Sequence, residues 1–585
     1  MTPPGSAARY ERANTGPDAE RWRTWKGPVV LALARTFTSA ARVLEALAVF
    51  RGDLRVLVVF SFDGTSAFNA GTEELLEGLE TARIPWERRL EVRPHLVLTA
   101  TENADMADFT CPIVVLPHGI GFQKYVPDHR TRRVRLSGVP RPEFHEAGNL
   151  HLVLSHPAQL EQLRAARIPL VDRAHVIGDP ARDRLVDDLR LRDRYRAELK
   201  VGPDRRLVVL TSTWGPEGLI GSRPELPGAL LGSLPHDDYR VAAILHPNIW
   251  FAHSPWQVRH MLADALDAGL LLMPPDRGWG AALVAADCVI GDHGSVTLYG
   301  AALDHPVLMA ARGSESVPGT AASALFETAP RLETGDLRGQ VEQAVEGHLP
   351  GRNRAATDLA FAHPGEGGWR LTVLLYRLLD MEPHRSRGDD GTRRALPPPV
   401  PDEASATALA FDVHGLLDGA ELSLERFPSA TRRTPSPPAG AVRHLSVYET
   451  EARHALVHSA SVVCRAPGEH VGPARWPEPA LERYPGAYAV AELTDEGTEV
   501  LFRGGDRLLV RFDSEVAPIL GAAVPYTLLR AGREPVGHHK VRLGPHLVAC
   551  SVEPLPRTDR QGTTPATDPG TPAPGRVSPV WGPTG

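Results

Sequence analysis

Between residues 28 and 309 the sequence alternates short apolar runs with stretches of helical spacing, and that alternation commits the chain to parallel sheets wrapped by helices. The first series of runs covers 28–34, 55–60, 96–99, 113–116, 152–154 and 174–177. The second covers 207–210, 239–245, 270–273, 288–290 and 306–309. Between them, 39–50 and 72–83 read as amphipathic helices with apolar residues at three-to-four spacing, 159–166 and 257–268 also read as helical, and 182–200 reads as a charged helix. The expectation is an α/β chain with two successive doubly wound, Rossmann-like sheets. Many of the strands end in Gly, His or Ser, and in such sheets ligands gather where the strands end.

The stretch 285–308 states the pattern most sharply. Cys288 to Ile290 reads as a buried strand, Asp292-His293-Gly294-Ser295 as its exit loop, and Val296 to Leu303 as a helix. A helix leaving the strand end aims free amides at the crevice, which suits a phosphate. Gly294 lets a ligand approach the backbone, and the Ser295 hydroxyl can donate to it or cap the helix. Read alone, the same residues also make an ordinary strand-to-helix turn.

At 585 residues the chain is too long for a single small core. Residues 1–26 read as a flexible N-terminus, 27–203 as the first sheet domain and 204–380 as the second. The stiff Pro397–Pro401 run and the Pro/Ser-rich 434–440 segment then mark 381–440 as a linker. Residues 441–555 read as a small strand-containing accessory domain and the Thr/Pro/Gly-rich 556–585 as a disordered tail.

The net charge of −7, with no basic block, gives no reason to expect a nucleic-acid partner. Cys111, Cys288, Cys464 and Cys550 show no metal or disulfide spacing, and His156, His253 and His260 match no common ligand pattern. No metal and no cofactor is expected. No secretory signal and no membrane span is legible, so the expected location is cytoplasmic, with peripheral contact at a membrane surface left open.

Five segments stand in a familiar order: Pro-His-Gly-Ile-Gly-Phe-Gln-Lys at 117–124, Gly-Asp-Pro-Ala-Arg-Asp at 178–183, Thr-Ser-Thr-Trp at 211–214, Leu-His-Pro at 245–247, and Asp-His-Gly-Ser-Val at 292–296. Together they resemble the CDP-glycerol glycerophosphotransferase family, the teichoic-acid primases and polymerases of the GT-B type, over residues 28–379. Ile120 and Gly121 stand where that family has Thr-Pro, Arg182 is displaced from the usual position, and Gly215 replaces an Arg. The 292–295 loop is also similar to the Asp-Ser-Gly-Gly loop of UDP-N-acetylglucosamine 2-epimerases.

The resemblance implies two facing sheet domains. A nucleotide-diphosphate donor, CDP-glycerol or a nucleotide sugar, would sit on the second, and a hydroxyl acceptor against the first. His118 is then the candidate general base, and His246 a second catalytic candidate that donates to phosphate. Thr213, Asp292, His293, Gly294, Ser295 and Val296 are the expected donor-binding residues. Gly119 and Lys124 are expected at the acceptor, with Gly119 and Gly121 leaving it room. The reaction expected is a metal-independent transfer of glycerophosphate or a sugar. The alternatives are a nucleotide-sugar epimerase or hydrolase, and a non-catalytic nucleotide sensor acting through its C-terminal region.

Overall fold

The structure, a computed structural model, describes residues 24, 26–127, 134–146, 148–388, 394–431, 434–465 and 476–556. The first 23 residues of the expected N-terminal segment and the expected tail beyond 556 lie outside them.

The first sheet holds β1 (Val29–Ala34), β2 (Leu57–Phe62), β3 (Arg83–Ile84), β4 (Leu96–Thr99) and β5 (Ile113–Val115). After a two-stranded hairpin, β6 (Tyr125–Pro127) and β7 (Val134–Leu136), come β8 (Leu150–Leu154) and β9 (Ala174–Val176). Its order is β3-β2-β1-β4-β5-β8-β9, and every pairing is parallel. The second sheet contains β10 (Arg206–Ser212), β11 (Tyr239–Leu245), β12 (Leu271–Met273), β13 (Cys288–Gly291) and β14 (Val307–Met309). These run β12-β11-β10-β13-β14, again all parallel. In both sheets the order reverses beside the first strand, which opens a crevice at the carboxyl ends. All six residues of β1 and all seven of β11 are buried, as expected of strands covered on both faces.

The lobes exchange chain segments, so the expected boundary at 203/204 is corrected. Ala181, Leu185, Tyr195, Leu199 and Val201 pack into the second lobe's core with Leu207 and Val209. Conversely, Leu371, Leu374, Leu375 and Tyr376 of the helix Gly367–Leu378 pack into the first core with Val30 and Ala32. The charged stretch 182–200, expected as one helix, breaks into Pro180–Asp187, a 3-10 turn Asp188–Leu191, and Arg192–Glu198.

The C-terminal region needs a larger correction. A closed barrel of nine strands, from Ala410–Asp418 to His546–Leu555, surrounds the helix Pro518–Arg530. Its first two strands, Ala410–Asp418 and Glu421–Pro428, fall inside the expected linker. Every residue from Pro518 to Leu528 is buried, so this helix is apolar on all sides because the strands enclose it. Arg426 docks the barrel onto the second lobe with two bonds to Asp237, at 2.9 and 2.7 Å. Even the Pro-rich run is seated: Gly278 lies so close that a Cβ there would be 3.1 Å from the Pro399 backbone. Among the described residues, no helix is long and apolar enough to cross a membrane.

Candidate functional site

A cleft of about 200 Å³ lies between the carboxyl ends of the two sheets, and every site residue expected from the sequence lines it. The first lobe contributes the loop after β5, with His118 and Lys124, and the helix Phe37–Ala46. The second contributes the ends of β10, β11 and β13.

The floor of the cleft joins the lobes directly. The Ile120 amide donates to Ser295 Oγ at 3.0 Å, and Lys124 Nζ donates to Thr213 Oγ1 at 3.2 Å. The Val317 amide donates to the Gln123 carbonyl at 2.9 Å and the Ala322 amide to Gln123 Oε1 at 3.0 Å. Ser295 therefore does not cap its helix; Gly294 is the N-cap and no side chain caps the end. With its oxygen already engaged by Ile120, the Ser295 hydroxyl still has its own hydrogen to donate. Gly119 is corrected as well: a Cβ there would lie 2.7 Å from Ser295 Oγ, so the space it leaves is filled by Ser295.

Asp292 and His293 are built into the protein rather than presented to a ligand. Asp292 is 1% exposed, and its carboxylate accepts from the amides of Thr213 and Leu219, each at 2.8 Å, and of Gly294, at 2.9 Å. It braces the loop after β13 against the loop after β10. The buried His293 accepts from the Gly313 amide at Nδ1, at 2.9 Å, which leaves the proton on Nε2 to donate to Glu315 Oε1 at 2.8 Å. Both ring nitrogens are thus occupied, and the His293 bond holds the Glu315 carboxyl down to about 2. A carboxylate brace and a saturated imidazole were hidden in the sequence because their partners, Leu219, Gly313 and Glu315, lie in segments without periodicity.

His246 caps the helix Pro247–His253, its Nδ1 accepting from the Asn248 amide at 3.1 Å. Burial, reinforced by the nearby Lys124 and His118, pushes its pKa down to about 3. The ring is therefore neutral at physiological pH, with an Nε2–H that has no hydrogen-bond partner among the described residues. His118 is exposed at the end of β5 and likewise has no such partner. Burial lowers the Lys124 pKa, while Glu315 and Asp292 oppose that fall. Trp214 packs against Phe68, with ring centroids 5.3 Å apart, and Lys124 Nζ lies 5.9 Å from its ring centre.

A second link between the lobes gave no sequence signal. Arg42 Nη2 donates to the Tyr299 hydroxyl at 3.1 Å, and that hydroxyl donates to Asp179 Oδ2 at 2.7 Å. Asp179 also caps the helix Pro180–Asp187 through the amides of Ala181 and Arg182. Asp183 reaches further than its own helix: it accepts from the amides of Gly365 and Gly367, where the chain returns to the first lobe. Among the described residues, no three His, Cys, Asp or Glu side chains cluster as a metal site.

No protein-family model matches the chain, and no curated protein does. Solved structures resemble it distantly. A variant of the wall teichoic acid polymerase TagF is 13% identical with a TM-score of 0.43, covering 60% of this chain and 89% of its own. A glycosyltransferase from Rickettsia africae ESF-5 is 12% identical with a TM-score of 0.37, covering 60% and 98%. A putative UDP-N-acetylglucosamine 2-epimerase from Listeria monocytogenes is 15% identical with a TM-score of 0.38, covering 62% and 99%. None of these likenesses bears on the activity.

Proposed function

We propose that this chain transfers a glycerophosphate or sugar from a nucleotide diphosphate to an acceptor hydroxyl in the cleft between the two sheets. The observation that carries this reading is one convergence. An exposed imidazole without a hydrogen-bond partner among the described residues, His118, shares the cleft with donors that can still reach a ligand: the His246 Nε2–H, Lys124 Nζ, which also donates to Thr213 Oγ1, the Ser295 hydroxyl and the uncapped helix start at Ser295 and Val296.

Each donor suits a diphosphate. Helix amides and a fixed hydroxyl stabilise negative charge without reorganising, and a nucleotide gathers such charge as it leaves. Burial lowers the Lys124 pKa, and an arriving diphosphate favours its charged form. His246, held neutral, gives a hydrogen bond and no proton. In this reading His118 takes the proton from the acceptor hydroxyl. The acceptor oxygen then bonds to the phosphorus or anomeric carbon of the donor as the bond to the nucleotide's phosphate oxygen breaks. The expected donor set is reduced accordingly: Asp292 and His293 hold the loop, and Thr213, Gly294, Ser295 and Val296 face the donor.

Calorimetry with CDP-glycerol and common nucleotide sugars tests the reading. Absence of binding by any donor to folded protein overturns it. Turnover of the donor without an acceptor, to an epimer, assigns the cleft to isomerisation instead. A His118→Ala variant is expected to bind donor but lose about a hundredfold or more in transfer rate, the usual scale of general base catalysis.

A further inference from the structure

The helix Gly367–Leu378 carries the chain back to the first lobe, packs on the face of its sheet against β1 and β4, and lines a groove together with β9. Its inner face is buried, while Val373 is 40% exposed and Arg377 also faces outward. Between this helix and β9 runs a groove of about 310 Å³ that shares no lining residue with the cleft between the sheets.

Three guanidiniums, those of Arg370, Arg377 and Arg387, line the groove with one carboxylate, Glu366. Glu366 is shared: Oε2 takes Arg370 Nε at 2.9 Å and Oε1 takes Arg387 Nη2 at 2.5 Å. Arg377 has no ion pair among the described residues, and it acts as a like charge on the neighbouring His151 and His175. Those two imidazoles are 3.0 Å apart, His151 Nδ1 to His175 Nε2, with their rings stacked. Burial first, then His151 and Arg377, hold His175 down to about 4. It therefore adds a polar group to the groove wall and no charge.

Like charges gathered beside one carboxylate repel each other unless an anion enters. The pattern stands out in a chain whose net charge is −7. Planar guanidiniums bind phosphoryl oxygens in pairs, and an anion offsets the positive charge that Glu366 leaves over among the described residues. Trp369 and Val373 supply an apolar wall beside them. We propose that this groove is a second anion site that takes a phosphoryl group, carried either by a small phosphate ester or by an anionic lipid headgroup.

Full-length protein would be titrated with glycerol 3-phosphate by calorimetry, and floated with phosphatidylglycerol and with phosphatidylcholine vesicles. Binding of the ester supports the site and assigns a small-molecule source. Binding of phosphatidylglycerol vesicles alone supports it and assigns a headgroup. In either case Arg377→Gln, an exposed position, should weaken binding about tenfold, the scale of one charge-assisted pair. The Arg370→Gln/Arg377→Gln pair should abolish it, while binding of nucleotide to the cleft between the sheets stays unchanged. Equal affinity in wild type and both variants, or no binding in any arm, overturns the proposal.

Discussion

Ser295 Oγ accepts the Ile120 amide at 3.0 Å, and the absent side chain of Gly119 is what lets it come so near. One hydroxyl therefore ties the tip of a second-lobe helix to the loop that carries His118.

Gly119→Ala is expected to separate these two elements. Its Cβ would meet Ser295 Oγ at 2.7 Å, so either the serine hydroxyl turns away and gives up the Ile120 amide or the loop shifts. Overpacking of this kind costs about 1–3 kcal/mol. Ser295→Ala, by contrast, removes the acceptor of one amide and should destabilise by about 1–3 kcal/mol where the amide stays buried. Both variants should lose donor affinity in calorimetry, but only Gly119→Ala should shift the position of His118 in a crystal structure.

The cap and the donor roles of His246 can be separated by Asn. An Asn side chain can still accept from the Asn248 amide, whereas it cannot place the Nε2–H of the imidazole in the cleft. His246→Asn is expected to melt near the wild-type temperature and to bind donor more weakly; His246→Ala should also lose about 1 kcal/mol of stability with the cap. The pH dependence follows from a folded-state pKa of about 3 against an ordinary value of 6.5. Between those values the unfolded chain binds a proton that the folded chain refuses, so this residue's share of stability is full above pH 6.5 and is lost as pH falls towards 3. Thermal melts across that window should fall less steeply for His246→Asn than for wild type. An equal slope would remove His246 as the cause.

How much of this was legible in the sequence depended on the range of the interaction. β1, β11 and β13 announce themselves because burial on both faces demands unbroken apolar runs, and the loops that follow them are fixed in place by the sheet order. Loop positions could therefore be read, while side-chain commitments could not. Asp292 and Ser295 look alike in sequence as polar groups at a helix start, yet the first is consumed by three amides and the second reaches the other lobe. Arg42 and Tyr299 meet across 257 residues and carry no local signature. The barrel's opening strand escaped notice because Asp412 and His414, both buried, interrupt its apolar pattern.

Asp292→Asn tests the brace. The carboxylate accepts three backbone amides with two oxygens, and an amide side chain would replace one oxygen with a group that itself donates. At least one buried N–H would face another donor, a loss of about 1–3 kcal/mol for each group left unsatisfied. The variant should therefore melt measurably lower and lose donor binding together, since the loops after β10 and β13 both rely on this side chain. A variant with wild-type stability and selective loss of binding would return Asp292 to the ligand-contacting set.

Tyr299→Phe probes the second link between the lobes. Its hydroxyl takes a hydrogen bond from Arg42 and gives one to Asp179, so its removal leaves Arg42 with Glu45, 3.0 Å away, as its remaining acidic partner. Asp179 keeps the amides of Ala181 and Arg182 on its other oxygen, which limits the damage to the second lobe. The stability loss should therefore be modest, about 1–2 kcal/mol, the scale of hydrogen bonds to charged groups. The larger effect should fall on the relative placement of the lobes, because Arg42 stands on the helix Phe37–Ala46 and Tyr299 on the helix whose tip carries Ser295. Small-angle scattering with and without nucleotide should then show a wider spread of interlobe distances for Tyr299→Phe than for wild type. Identical profiles would mean that the other interlobe bonds, those of Ser295, Gln123 and Lys124 among them, set the closure of the cleft.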